Sequence, residues 1–190
     1  MSDMRTWEPM RQRIHTQLVR QTASSVDDWN ERIKAEAPAD EPVLRSWLDE
    51  QGVTGYPQTL LVWETFGYPD FLLASADELV DAQYAGRPEL RPILDAVLGA
   101  VSGLGEVDVQ ARKTYVAMLT PLRTFAVVQA TTKRRVDLGL RLSSTKPGGR
   151  LVSGKGVGND AINIRIGLES VDDLDQEALD WLERAYRESS

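Results

Sequence analysis

Charged and aliphatic residues alternate through the second half of this 190-residue chain. In the run 135–142, Val136, Leu138, Leu140 and Leu142 share one side of an extended strand. Arg135, Asp137, Gly139 and Arg141 share the other. Asn163 and Arg165 alternate in the same way with Ile162, Ile164 and Ile166. Arginines at alternate strand positions present several guanidinium forks in one plane, a geometry suited to phosphate or carboxylate. Asp137 is expected to orient Arg135 or Arg141 rather than to perform chemistry. Lys113, Arg123 and Lys133 extend the basic stretch, and Tyr115 or Phe125 would add a stacking surface if either faced outward. Lys113, Tyr115, Arg123 and Lys133, together with the five polar strand residues, are the candidate ligand-binding set.

The charge layout gives this set its interest. Residues 111–158 hold ten Lys/Arg and a single acid, Asp137, a local balance of +9. The rest of the chain holds 12 basic and 28 acidic residues, a balance of −16, so the whole carries −7. Such an acidic total argues against indiscriminate polyanion binding, while a local basic surface still permits a directed anion site.

Other arrangements carry less. Gly149-Arg-Leu-Val-Ser-Gly154-Lys155 matches the first seven positions of a phosphate-binding P-loop. The eighth is Gly156, where Ser or Thr would ligate magnesium, and a loop and a strand stand where a strand and a helix are required. A flexible hairpin connection is the simpler reading. His15 is the sole histidine and reads as a surface residue. Asp27/Asp28 and Asp172/Asp173 each sit at a helix start, where the helix dipole favours negative charge. There are no cysteines, which removes disulfides, thiolate metal sites and cysteine nucleophiles, and suits a reducing cytoplasm. No catalytic residues, metal ligands or cofactor follow from these patterns.

The elements that position the basic stretch come in two styles. Residues 1–105 read as helices. Trp7, Met10, Ile14 and Leu18 recur at helical spacing, and Ser25 with Asp28 opens a second helix. Pro42, Pro57 and Pro88 mark helix starts, and Gly52, Gly67 and Gly103 mark ends. Ser75-Ala-Asp-Glu78 is a capping box. The five tryptophans, at 7, 29, 47, 63 and 181, fall on apolar helical faces. The period then drops to 2 across strands at 112–119, 123–130 and 134–142. A loop, 143–159, with five glycines precedes a fourth strand, and Ser170 is expected to cap a last helix. The fold expected is α+β. A helical module at 1–85 precedes a domain at 86–190, an antiparallel sheet of about four to five strands flanked by two helices. Two helices on one sheet face leave the other free to display Arg135, Asp137, Arg141, Asn163 and Arg165.

The run 113–142, with Lys113 to Val116, Arg123 to Ala126 and Val136 to Leu140, resembles the bacterial family called domain of unknown function 5655. The ending Asp173 to Tyr186 belongs to the same pattern, and the resemblance covers about residues 87–190. Residues 25–62 look like the helical domain of unknown function 4287, with Gly55-Tyr56 in place of that module's usual Gly-His. The first resemblance implies architecture more than activity. Related sheet domains are labelled predicted transport proteins, and others accompany restriction-type nuclease modules.

The expected function is a cytoplasmic, non-enzymatic binding module whose basic sheet face takes an anionic ligand, with nucleic acid the leading candidate. The alternative is a protein-interaction or small-ligand module working through an apolar groove between the two modules. No apolar run approaches a membrane span, and the sequence leaves the oligomeric state open.

Overall fold

A computed structural model describes residues 8–190. Trp7, which the helical spacing placed on the first apolar stripe, lies outside them. The described chain forms two compact units, residues 8–74 and Ser75–Ser190.

The first unit is helical: α1 (Glu8–Thr22), α2 (Val26–Glu36), α3 (Glu41–Glu50), α4 (Gly55–Phe66) and the single turn α5 (Asp70–Leu73). Ser25 and Asp28 complete a capping box at the start of α2, which satisfies two orphan backbone donors. Ile14, Leu18, Trp29, Ile33, Leu44, Leu48, Leu60 and Leu61 make the core. At its margin the Glu64 carboxylate accepts from Arg11 at 2.9 Å and from the Tyr68 hydroxyl. Burial, reinforced by the bond to Glu64, pushes the Tyr68 phenol up to about 12. Burial also opposes ionised Glu64, but hydrogen bonds from Tyr68 and Arg11 outweigh it and its pKa is lowered. His15 is half-buried rather than on the open surface, and its Nε2 is shielded without a hydrogen-bond partner.

The second unit is α+β. It opens with α6 (Ala76–Tyr84) and α7 (Arg91–Val101). The strands β1 (Asp108–Ala111), β2 (Val116–Leu119), β3 (Thr124–Ala130) and β4 (Val136–Leu140) follow. Two residues of β5 (Val152–Ser153), then β6 (Ile164–Leu168) and α8 (Gln176–Arg187), complete it. The sheet is antiparallel with strand order β1-β2-β3-β4-β6-β5. The division between the units falls before α6, so the helix that sequence patterning assigned to residues 1–85 packs instead against the sheet. Its Gln83 Nε2 donates to the Arg112 carbonyl at 2.8 Å. The strand expected at 112–119 is a turn followed by β2, and β1 precedes it. Ser170 begins a 3-10 turn, and Asp175 caps α8 instead, accepting from the Ala178 amide.

Register sorts the sheet residues cleanly. Val116, Val128, Leu138 and Ile166 lie in one row across β2, β3, β4 and β6; Met118, Ala126, Leu140 and Ile164 lie in the next. All are buried, and α8 packs on this side of β3 and β4 through Ala178, Leu182 and Ala185. A bulge between Met118 and Leu119 leaves Phe125 without a register partner. Strict alternation would put Phe125 beside Val127. The bulge turns it to the helix side, where it meets Tyr186 of α8 edge-to-face at 5.5 Å.

Candidate anion site on the loop-covered sheet face

The second face carries Ala117, Val127 and Gly139 in one row and Gln129, Asp137 and Gly167 in another. It is not free, contrary to the sequence expectation. The segment 154–162 lies across it, and Val157 and Ile162 pack on Ala117 and Val127. Glycine makes this approach feasible. A Cβ on Gly139 would stand 2.7 Å from both Ile162 and Val127, and one on Gly158 would stand 2.7 Å from Val127. The loop read as a flexible connection is therefore a fitted cover. Gly158 N donates to Gln129 Oε1 at 2.7 Å, and the Asn163 amide pairs with both backbone groups of Leu142 at 2.9 and 2.7 Å. Near the start of the loop, Arg150 donates to both oxygens of Asp175 and to the Asp173 carbonyl. The Ala178 amide and Arg150 hold the Asp175 carboxyl below its ordinary value, and the Glu169 and Ser170 amides do the same for Asp173.

Under this cover Asp137 is fully buried. Its Oδ2 accepts from Arg165 Nη1 at 2.6 Å and from Thr131 Oγ1 at 2.5 Å, with Arg135 Nη2 at 3.4 Å. Arg135 Nε stands 3.0 Å from Oδ1 but is not aimed at it, so that contact is an ion pair and leaves Oδ1 without a directed donor. Asp137 does orient a neighbour, as expected, but its partners are Arg135 and Arg165 rather than Arg135 or Arg141. Arg165 Nε also donates to the Ser153 carbonyl at 3.1 Å.

The remaining candidates divide between the two ends of the sheet. Antiparallel pairing brings the β1–β2 turn, with Lys113, to the same end as the β3–β4 turn, with Lys133 and Arg134. Arg87 ties this end down by donating to the carbonyls of Ala130 and Thr132 at 2.6 and 2.9 Å. Tyr115 is half-buried there and packs toward Ala117 and Val127. Arg123, Arg141 and Asn163 lie at the opposite end, and the Asn163 amide is already committed. Phe125 is buried and offers no stacking surface. The structure therefore unites Arg135, Asp137 and Arg165 at the centre of the face, with Lys113 and Lys133 at the near end, and separates Arg123, Arg141 and Asn163. Thr131, Gln129, Arg87 and Arg134 join the site unannounced. Gly139 among the charged alternate positions was the one local sign that another segment approaches.

A cavity of about 420 Å³ opens along the loop, lined by Ser153, Lys155, Asn159 and Asp160 among others. Among the described residues no cluster of His, Asp and Glu is arranged to hold a metal ion, and no helix is long and apolar enough to cross a membrane. No curated protein and no solved structure matches the chain. A family model does match, over residues 80–189, which spans the sheet unit from within α6 almost to the last residue. With more than half its length inside that match, the chain belongs to the family described as domain of unknown function (DUF5655).

Proposed function

We propose that this protein is a cytoplasmic, bacterial, non-enzymatic binding module. Its sheet unit engages an anionic ligand, nucleic acid foremost, at the end of the sheet that carries the β1–β2 and β3–β4 turns. One observation carries the reading: Arg135 and Arg165 share a single buried carboxylate, beside the β3–β4 turn, which exposes Lys133 and Arg134. Two guanidiniums against one carboxylate leave a local surplus of positive charge. Because Phe125 is buried and Tyr115 packs inward, the surface is suited to phosphates rather than to stacked bases. The helical unit, whose residues 25–62 resemble domain of unknown function 4287, is a separate module in this reading.

Fluorescence anisotropy with single- and double-stranded DNA and RNA tests the proposal. Affinity should fall steeply between about 50 and 200 mM salt and vary little with base sequence. The pair Lys133→Glu and Arg134→Glu should weaken every nucleic acid alike and flatten the log–log salt slope, by about 1 for each phosphate no longer neutralised. Absence of binding at low salt would end the reading, as would a double variant that binds like the wild type.

A further inference from the structure

The central trio has a composition that a purely structural ion pair would not need. Asp137 keeps only 1% of its side chain in solvent, yet Arg135 and Arg165 keep 35% and 23% of theirs there. Arg135 reaches this position because its β6 neighbour is glycine: a Cβ on Gly167 would lie 2.8 Å from Arg135 Cδ. Arg165 is held from two directions, by Asp137 and by the Ser153 carbonyl. Each guanidinium has five N–H donors. Arg165 directs one to Asp137 and one to Ser153, and Arg135 turns only its Nε and Nη2 edge toward Asp137. The outer edges of both forks keep their donors.

Deepening the nucleic-acid reading above, on which it rests, we infer that Arg135 and Arg165 form a seat for a single phosphodiester group, with Asp137 as the positioning residue that fixes both forks and sets the seat's charge. The chemistry follows from that charge. Arginine is always protonated, so an ionised Asp137 leaves the trio at +1. A phosphodiester carries one negative charge and neutralises the seat. A phosphomonoester dianion would overfill it. The planar forks match two non-bridging phosphate oxygens. Because Arg135 and Arg165 are already ordered by Asp137, Ser153 and Gly167, binding sacrifices less side-chain freedom than it would on mobile lysines.

The experiment is a titration of the full-length protein with a short oligothymidylate lacking terminal phosphates. It is followed by the Nε–H resonances of Arg135 and Arg165 and by anisotropy, with sodium chloride at matched ionic strength as the control. Both resonances should shift saturably with the oligonucleotide and not with chloride. Arg165→Gln should weaken binding roughly tenfold. Arg165→Lys keeps the charge and the fold but loses the fork, and should weaken it nearly as much. Asp137→Asn raises the seat to +2, so its salt slope should steepen by about 1 and its preference move toward an oligothymidylate bearing a 5′-phosphate. A merely structural Asp137 would change neither slope nor preference. If the resonances stay still while the oligonucleotide binds and Lys133→Glu/Arg134→Glu abolishes binding, the seat is overturned and the surface reading survives. If the wild type binds no oligonucleotide at low salt, both fall.

Discussion

The two faces of the sheet are covered by different kinds of structure, and the residues beneath them differ accordingly. Under α8 lie the apolar side chains of Leu138, Leu140, Ile164 and Ile166. Under the segment 154–162 lie Ala117 and Gly139, and beside them Gln129, Asp137 and Arg165. A helix satisfies its own backbone and presents only side chains, so aliphatic packing suffices beneath it. A loop brings unpaired N–H and C=O groups, so the surface below must supply partners, as Gln129 does for the Gly158 amide. It also comes closer than a helix can, which demands small residues. The polar residues beneath a loop thus serve the cover first, and only the capacity left over is open to a ligand of the kind proposed above.

Substitutions can break or sharpen this contrast. The largest effect belongs to the helix side: Leu138→Ala leaves a cavity in a fully buried row and should cost about 2–5 kcal/mol in urea denaturation. On the loop side Asp137→Ala strands two guanidiniums that still reach solvent. It should cost less, about 1.5–3 kcal/mol by the same measurement. A cost equal to that of Leu138→Ala would erase the distinction between the faces.

Gly158→Ala should cost about 1–3 kcal/mol, since its φ of +64° disfavours a side chain and its Cβ would strike Val127. Gly149, with φ +59° and nothing within 4 Å, is the control. Gly149→Ala should cost only about 1 kcal/mol, and the difference isolates the fit of loop to sheet.

The smallest effect is local. Arg150→Ala should speed amide hydrogen exchange across 148–153 and leave β2–β4 unchanged. Acid should do the same. Asp173 and Asp175 titrate below their ordinary value of 3.8, so their contribution is complete above that pH and is lost as the pH falls through their lowered values. Exchange at 148–153 that does not respond to acid would show that Arg150 is not the strap.

Local chemistry made much of the fold legible. The boxes at Ser25–Asp28 and Ser75–Glu78 formed as their spacing indicates, and the alternation in β4 and β6 places the correct residues on the helix side. Arg112 to Tyr115 alternates like a strand yet closes a turn, because the Arg112 amide bonds the Tyr115 carbonyl and β1 supplies the partner strand. The site was half legible. Periodicity put Arg135, Asp137 and Arg165 on one side. It could not show that Val157 and Ile162 return to cover that side, since Gly139 marks a close approach without naming the segment that makes it. Nor could it show that the Asn163 amide is taken by Leu142.

The order of the strands also carries a kinetic consequence. β1, β2 and β3 each pair with the strand next in sequence, so this meander of four strands can assemble through short-range closures. β6 joins β4 only after the chain from 141 to 163 has been brought back, and that ordering entropy falls late in assembly. The loop side of the sheet should therefore be the last to exclude water during folding. Substitutions at Val157 and Ile162 should then speed unfolding with little change in the folding rate, whereas substitutions at Val128 and Leu138 should slow folding.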